Sequence, residues 1–486
     1  MTLRLVLRTL AARPVRTAVL SGGFGFGVAV MAALLGVGDV ILEQSRSPAL
    51  RGGGDLVVVG RAGDVSSARF LLSSVLGAPP LAARVATASP TQRRTLFLIE
   101  GNRVTRLRGR GGIPSLEKAV GDRETSHAPA WKDAPSDGSW TSPDPSELLR
   151  AMDRFHAIPD APAWTGSWAE WLYFNGRTTD GSVRFYLSFM TGPPTQDGGA
   201  RGAGVRLQLE RNGHVENFSR RAVIPEATLL AEAPNLDIAG NRVRLEGLRY
   251  RIALDLASER GGPGAKGDIT LEASPGRSVP PFVLRGRAGW LSGYVVPVLS
   301  GSMRGALEAS GRTVSLEGAL GYHDHNWGFW RGVSWQWGQV THEGYSFLYG
   351  RVRPPADAVS PEQAERIPGV LAVIGPAGPI AFAKGAQIEE TSSPDGRPES
   401  IQVLAHEAGL DVRLDIRVHD LIRTPMGRPG IPAEGPTQFL QLRASYHVTG
   451  RVGDRQLDFT ALGSAETWRS GPGLSAASAG SRSPRR

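Results

Sequence analysis

The sequence predicts a mainly β protein: two tandem antiparallel β-barrels or sandwiches, preceded by one transmembrane helix and a small mixed α/β region. Three observations predict it. An uncharged run over residues 17–38 sits between arginines and acids. From about residue 166 to 469, short alternating apolar runs are separated by tight-turn signals. And 62 Gly and 35 Pro suit many turns and short strands better than a helical bundle.

The bulk numbers bound the rest. At 486 residues the chain is too long for one ordinary core, so two or three domains are expected. With 41% apolar and 21% charged residues it is a folded chain. The net charge of +9 comes from arginines scattered through the sequence, with no basic block carrying interleaved aromatics, so no nucleic-acid partner is expected. There is no cysteine, which excludes disulfides, thiolate metal sites, cysteine nucleophiles and a lipoprotein anchor.

The run "TAVLSGGFGFGVAVMAALLGVG" (17–38) is long enough to cross a hydrocarbon layer of roughly 30 Å. Arg4, Arg8, Arg13 and Arg16 precede it and Asp39 and Glu43 follow, so the N-terminus is expected in the cytoplasm and the bulk of the chain outside, as a single-pass membrane protein. The run exceeds the roughly 7–15 residues of a signal-peptide core, which favours a retained anchor over residues 1–45. Gly23 and Gly27 give it a small-xxx-small face. The stretch "LRTLAARPVRTAVL…LLGVGDVILEQ…GGGDLVVVG" resembles the start of MacB-type ABC-transporter permeases. That resemblance covers about the first 60 residues and implies a permease partner. No second apolar span of that length follows.

Residues 46–125 read as a small extracytoplasmic domain: a strand at "GDLVVVG", short helices at "ARFLLSSVLGA" and "PSLEKAVGD", and a hairpin in "RTLFLIEGNRVTRLRG" turning at Gly101-Asn102. Residues 126–165, rich in Pro, Asp, Ser and Trp, read as a linker with one helix near Glu147–Phe155. Hairpins are then expected around "TTDGS", Asn212-Gly213 and Gly240-Asn241, and alternation in "VRLQLE" and "YRIALDL" gives each strand one buried face. Roughly 300 residues exceed one small barrel, so the region is split into 166–300 and 301–470. The tail 471–486 has no apolar pattern and is expected to be disordered.

Two stretches concentrate chemistry. In "WAEWLYFNG" (168–176) a period of two puts Glu170, Leu172 and Phe174 on one face and Trp171, Tyr173 and Asn175 on the other. An acid among apolar residues is costly unless it is paired. In "GYHDHNWGFW" (321–330), His323 and His325 share a face and Asp324 points opposite, with Tyr322, Asn326 and Trp327 around them. Trp335 and Trp337 follow, and Tyr345, Phe347 and Tyr349 share one face of the next strand. Two same-face imidazoles suggest zinc, but His342 and Glu343, the nearest further donors, lie a strand away, so no metal or cofactor is expected. No G-x-S-x-G appears.

The pair W-x-E-W-x-Y-F-N-G (written here with Leu172 where a second Trp is common) and Y-H-D-H-N-W-G, about 150 residues apart, resembles the AttH-like and carotenoid 1,2-hydratase (hydroxyneurosporene synthase) superfamily over about residues 160–470. The resemblance implies two lipocalin-like β-barrels side by side with a hydrophobic pocket. Its hydratases add water to an isoprenoid C=C bond without a cofactor. Such a reaction needs an acid strong enough to protonate carbon and π faces to stabilise the cation. Asp324 or Glu170 is then the candidate acid, with His323 or His325 ordering water. Trp327, Trp335 and Tyr345 would surround the cation, and Trp171, Tyr173, Asn175, Tyr322, Asn326, Trp337 and Tyr349 would line the pocket. The alternative is a buried hydrogen-bond network locking the two barrels together.

Three functions remain open at this stage: an anchored binder of a lipid or other hydrophobic molecule working with an ABC exporter, an isoprenoid hydratase-like enzyme, or a partner protein whose barrels are filled by their own side chains.

Overall fold

The computed structural model describes residues 82–101, 103–122, 130–141, 144–407, 409–424 and 438–469, with Val15, Phe70, Leu72 and Thr125. The expected membrane span, the permease-like opening, the strand at 54–60 and the tail 471–486 lie outside these residues, Val15 apart. Among the described residues no helix is long and apolar enough to cross a membrane. The chain divides into two compact units, 1–60 with 87–138 and 61–86 with 139–486.

In the first unit β1 (Thr91–Glu100) and β2 (Arg103–Gly112) pair, among the described residues, only with each other, ending at Glu100↔Arg103 across the expected turn. A short helix, α1 (Pro114–Ala119), follows. Its Glu117 is buried and takes a 2.8 Å hydrogen bond from Thr91 Oγ1 and a 2.6 Å ion pair from Arg110.

In the second unit the helix α2 (Pro145–Met152) precedes the first barrel, capped by the Asp144 carboxylate on the Ser146 amide at 2.8 Å. The expected linker is not one from here on. Leu148, Leu149, Met152, Phe155, Ala161 and Trp164 are all buried in the core of the barrel that follows. The Pro- and Ser-rich composition marks irregular backbone, while the apolar positions within it pack as a cap.

The strands that follow are β3 (Trp168–Arg177), β4 (Val183–Pro194), β5 (Ala200–Arg211), β6 (His214–Pro225), β7 (Leu236–Ile238), β8 (Asn241–Glu246), β9 (Arg249–Ser258), β10 (Ala265–Glu272), β11 (Val279–Arg285), β12 (Leu291–Ala309), β13 (Arg312–Ser315) and β14 (Ala319–Phe329). Eight of them close an antiparallel barrel in the order β3-β4-β5-β6-β9-β10-β12-β14, with β14 returning to β3. The hairpin β7–β8 pairs onto β9, and β11 and β13 pair onto β12. The turn chemistry explains the meander. Asn212 and Gly213 take φ of 49° and 80°, the left-handed pair that a two-residue hairpin of this twist requires. The β7–β8 turn uses Ala239 and Gly240 (φ 53° and 83°), one residue earlier than expected, because the Asn241 amide is drawn inward to the Ile238 carbonyl at 3.2 Å.

The second barrel is an uninterrupted meander: β15 (Ser334–His342), β16 (Tyr345–Arg353), β17 (Gly369–Gly375), β18 (Gly378–Ser392), β19 (Pro398–Glu407), β20 (Leu410–Thr424), β21 (Gln438–Val452) and β22 (Arg455–Arg469), closed by β22 on β15. The boundary therefore falls at residues 330–333, not near 300. Strands β12 and β14 belong to the first barrel because β14 closes it on β3, a pairing of segments about 150 residues apart that no local signal reveals.

Both interiors are filled by side chains. Leu172, Phe174, Phe185, Phe189 and Ile252 in the first barrel and Phe347, Tyr349, Leu414, Leu442 and Tyr446 in the second are fully buried. A third apolar cluster joins the barrels, with Tyr173, Tyr322, Val296 and Leu299 of the first against Trp337, Leu348 and Ile374 of the second.

Candidate functional site

The strand period decides what each motif residue meets. Strands β3 and β14 are paired, with Trp327 opposite Glu170, His325 opposite Leu172 and Asp324 opposite Tyr173. Opposite residues share a face, so one face of this pair looks into the first barrel and the other looks at the second. The sequence-predicted site residues therefore divide into two networks.

Inside the first barrel, Glu170 is the centre. His156 Nδ1 donates to its Oε1 at 2.7 Å, His325 Nε2 meets the same oxygen at 3.0 Å, and the His156 backbone N–H reaches both oxygens at 3.0 and 3.1 Å. The Arg201 guanidinium lies 3.7 Å away and is itself paired with Glu226. The Met152 carbonyl can only accept, so the His325 Nδ1 facing it at 2.9 Å carries a proton. Burial alone would raise the Glu170 carboxyl. The hydrogen bonds and charges of His156 and His325 outweigh it and hold the carboxyl below its ordinary range. The reverse balance applies to His325: burial works against the cation, but Glu170 and Asp153 raise it above the usual imidazole value. Both shifts favour an imidazolium facing a carboxylate. Beyond it, His323 Nδ1 donates to the Tyr173 carbonyl at 3.0 Å. His323 Nε2 and the Tyr250 hydroxyl meet at Asp153 Oδ2, at 2.9 and 2.6 Å.

His323 and His325 thus share a face and both approach Asp153, His323 Nε2 at 2.9 Å and His325 Nδ1 at 3.8 Å. The His342–Glu343 pair at the β15–β16 turn is exposed and is not part of the network. Among the described residues, those able to hold a divalent cation are His156, Glu170 and His325, whose ligand atoms lie within 4.8 Å of one another. As arranged, those atoms bond to each other, and Arg201 already adds a positive charge beside them.

Between the barrels the chemistry differs. Asp324 accepts from the Tyr322 hydroxyl and the Asn326 amide, both at 2.7 Å. Tyr294 and Tyr322 hydroxyls meet at 2.7 Å, and the Trp337 indole N–H donates to Tyr294 at 2.9 Å. A second carboxyl faces this group from the other barrel: Glu466 on β22, bonded by the Tyr173 hydroxyl at 2.6 Å. Burial pushes Asp324 well above the carboxylate range, the donors Tyr322 and Asn326 oppose that, and the charges of Glu466 and Asp153 add to it. Burial likewise raises Glu466 to about 7 against the pull of Tyr173 and Gln441. This seam holds two carboxyls biased toward the neutral acid in a wall of tyrosine and tryptophan.

A groove of about 260 Å³ opens along the same seam, lined by Tyr186, Glu210, Gln441, Arg443 and residues 420–423. The Tyr186 ring stacks on Tyr173 with centroids 6.4 Å apart. Gln441 is bonded to Gln208 and to Thr424.

The expected cation cage is not assembled. Trp327 lies inside the first barrel, stacked on His156 at 4.3 Å. Trp335 packs between the barrels against Trp468 (4.6 Å), Trp330 (5.5 Å) and Trp171 (6.5 Å). Tyr345 and Tyr349 point into the second barrel. Asn175 lies on the seam face beside a small cleft with Arg177 and Ser464. Sequence reading missed Asp153 and His156, which sit in the supposed linker. It also missed Arg201, Tyr250, Tyr294 and Glu466, which carry no local signal.

No protein-family model matches the chain, and no curated protein resembles it in sequence. Among solved structures it is similar to a Nitrosomonas europaea protein provisionally designated AttH, at 14% identity over 65% of this chain and 98% of that one, with a TM-score of 0.40. It is also similar to CghA, solved alone and with Sch210972, at 12% identity over 66% of this chain and 94% of that one, with a TM-score of 0.41. At such identities and scores the likeness says nothing of what this chain binds or does.

Proposed function

We propose that this chain binds a neutral, largely apolar small molecule at the seam between its barrels, with Asp324 and Glu466 as the groups that meet it. The observation carrying this reading is the pair of buried carboxyls biased toward protonation among Tyr173, Tyr294, Tyr322 and Trp337. An acid held neutral sits in an apolar wall at little cost and offers a hydrogen-bond donor to a hydroxyl or carbonyl, whereas two carboxylates would repel each other. The filled interiors of both barrels favour the seam over a lumen, and the groove beside Tyr186 offers the way in. The uncharged run at 17–38 and the permease-like opening support a membrane-anchored, extracytoplasmic carrier working beside an ABC exporter.

A second reading is catalytic: burial raises Glu466 to about 7, which keeps its proton in place near neutral pH although it makes the group a weaker acid than an ordinary carboxyl. Such an acid can deliver a proton near neutral pH. In a hydratase-like step it would protonate one carbon of an isoprenoid C=C bond. Water would then bond to the resulting cation, and the proton released from that water would return to the carboxylate.

The test is native mass spectrometry of the full chain extracted from its own host membranes, alongside Asp324→Asn and Glu466→Gln. The carrier reading expects one discrete small-molecule mass increment that survives in at least one variant. The catalytic reading expects the bound isoprenoid to be hydrated by the parent and to remain unchanged on Glu466→Gln. An apo mass with no uptake of added isoprenoids or lipids overturns both and leaves a partner protein with filled barrels.

A further inference from the structure

The β1–β2 hairpin is built unlike any other strand pair among the described residues. Its two strands pair only with each other, and a lone two-stranded hairpin is marginal in water. Its base is pinned: Thr91 and Arg110 both reach the buried Glu117 of α1, and Arg110 also pairs with Asp122. Its far half is exposed and apolar. Leu96, Phe97, Leu98, Ile99, Val104 and Leu107 are between 43% and 69% exposed. The register puts Leu96, Leu98 and Leu107 on one face and Phe97, Ile99 and Val104 on the other.

A protein partner docking on a sheet covers one face or adds to one edge. Apolar residues on both faces at the free end fit a medium that surrounds the hairpin instead. The charge says which medium. Residues 91–112 contain six arginines and one glutamate, a net +5, and Arg103 and Arg106 are exposed directly beside the apolar residues. We propose that the free end of this hairpin docks shallowly into an anionic lipid surface, its apolar side chains at the headgroup boundary and its arginines among the phosphates. The insertion must be shallow, because no other described strand pairs with the outer edges of this hairpin, and hydrocarbon cannot satisfy exposed backbone groups. Four residues per strand reach about 13 Å, comparable with the roughly 5–10 Å that interfacial segments occupy. This contact is independent of the seam site and additional to any anchor at 17–38.

The absence of cysteine makes the test clean. The full chain carrying Ile99→Cys is labelled with an environment-sensitive fluorophore and reconstituted into phosphatidylcholine vesicles with and without phosphatidylglycerol. A second sample labelled at Gln456→Cys, on exposed β22, serves as the reference. The expected result is blue-shifted emission at position 99, quenched by bilayer-resident quenchers, only with phosphatidylglycerol and reversed by high salt, while position 456 stays unchanged. Replacing Arg103 and Arg106 by Gln should weaken the docked fraction about fivefold per arginine. Unshifted emission at position 99 in anionic vesicles overturns the proposal. So does a lipid-independent shift, accompanied by disulfide-linked dimers of the unlabelled Ile99→Cys chain, which would assign the surface to a second copy.

Discussion

Tyr173 of the first barrel donates a 2.6 Å hydrogen bond to Glu466 of the second, across 293 positions of sequence. Both groups are buried, and the bond is one of several polar contacts spanning the seam, with Trp337 on Tyr294, Arg277 on Ser346 and Arg443 on Glu210 among the others. Removing the hydroxyl with Tyr173→Phe leaves Glu466 without that donor. The expected cost is about 1–3 kcal/mol, the penalty for a buried polar group that loses its partner. Combining it with Glu466→Gln in a double-mutant cycle should return a coupling of about 1 kcal/mol by urea unfolding. Strict additivity would mean the two groups do not interact in solution.

Stability should depend on pH through Glu466. Its ordinary value is 4.5 and burial raises it to about 7 in the folded chain. Between those values the folded state holds a proton that the unfolded state has released. Stability is therefore greatest at the acid end of the window and falls as pH rises toward 7, by about 3 kcal/mol from this group alone. Asp324 is pushed the same way and steepens the fall. His325, raised by Glu170, adds a further loss above 6.5, whereas Glu170, held low, costs stability only below 4.5. Urea midpoints measured from pH 5 to 8 should fall more steeply for the parent than for Glu466→Gln. Parallel curves would show that Glu466 is ionised in the fold.

The two faces of the β3–β14 pair should respond unequally to replacing a carboxyl by its amide. Glu170→Gln leaves Arg201 and the His325 imidazolium buried beside a neutral amide, so a loss of about 3–5 kcal/mol is expected. Asp324→Asn replaces a group already biased toward the neutral form, and only the donor facing the new NH₂ must turn, for about 1 kcal/mol. Equal losses in the two variants would refute this assignment of charge.

Much of this division was legible in the sequence. A period of two on "GYHDHNW" already separates His323 and His325 from Asp324, and the same period on "WAEWLYF" separates Glu170 from Tyr173. Two barrels were legible from the spacing of strands and turns. What faces each motif was not, because those partners come from distant chain. Asp153 and His156 sit in a Pro-rich stretch that composition marks as a linker, yet the cap formed by Leu148, Leu149 and Met152 carries them into the barrel. Glu466 stands among Ala, Thr and Ser on a strand of ordinary alternation. Nothing near it signals that its face is covered by another barrel. The barrel boundary failed for the same reason, since closure by β14 on β3 is a long-range event.

The packing of the second barrel's interior can be tested in solution at Gly338. A Cβ placed there would lie 2.4 Å from the Tyr349 ring and 2.4 Å from the Tyr446 hydroxyl, both fully buried. The Tyr446 hydroxyl is held in place by the Ser464 carbonyl at 2.6 Å, so it cannot simply swing aside. Gly338→Ala should therefore destabilise the protein by about 1–3 kcal/mol, the usual cost of overpacking a filled core. In an open calyx the same methyl group would project into empty or solvated space and cost little. Urea unfolding of this single variant separates the cases. A loss of the expected size keeps the ligand at the seam. A tolerated methyl group would move the search for it into the second barrel, with Tyr349 and Tyr446 as its first contacts.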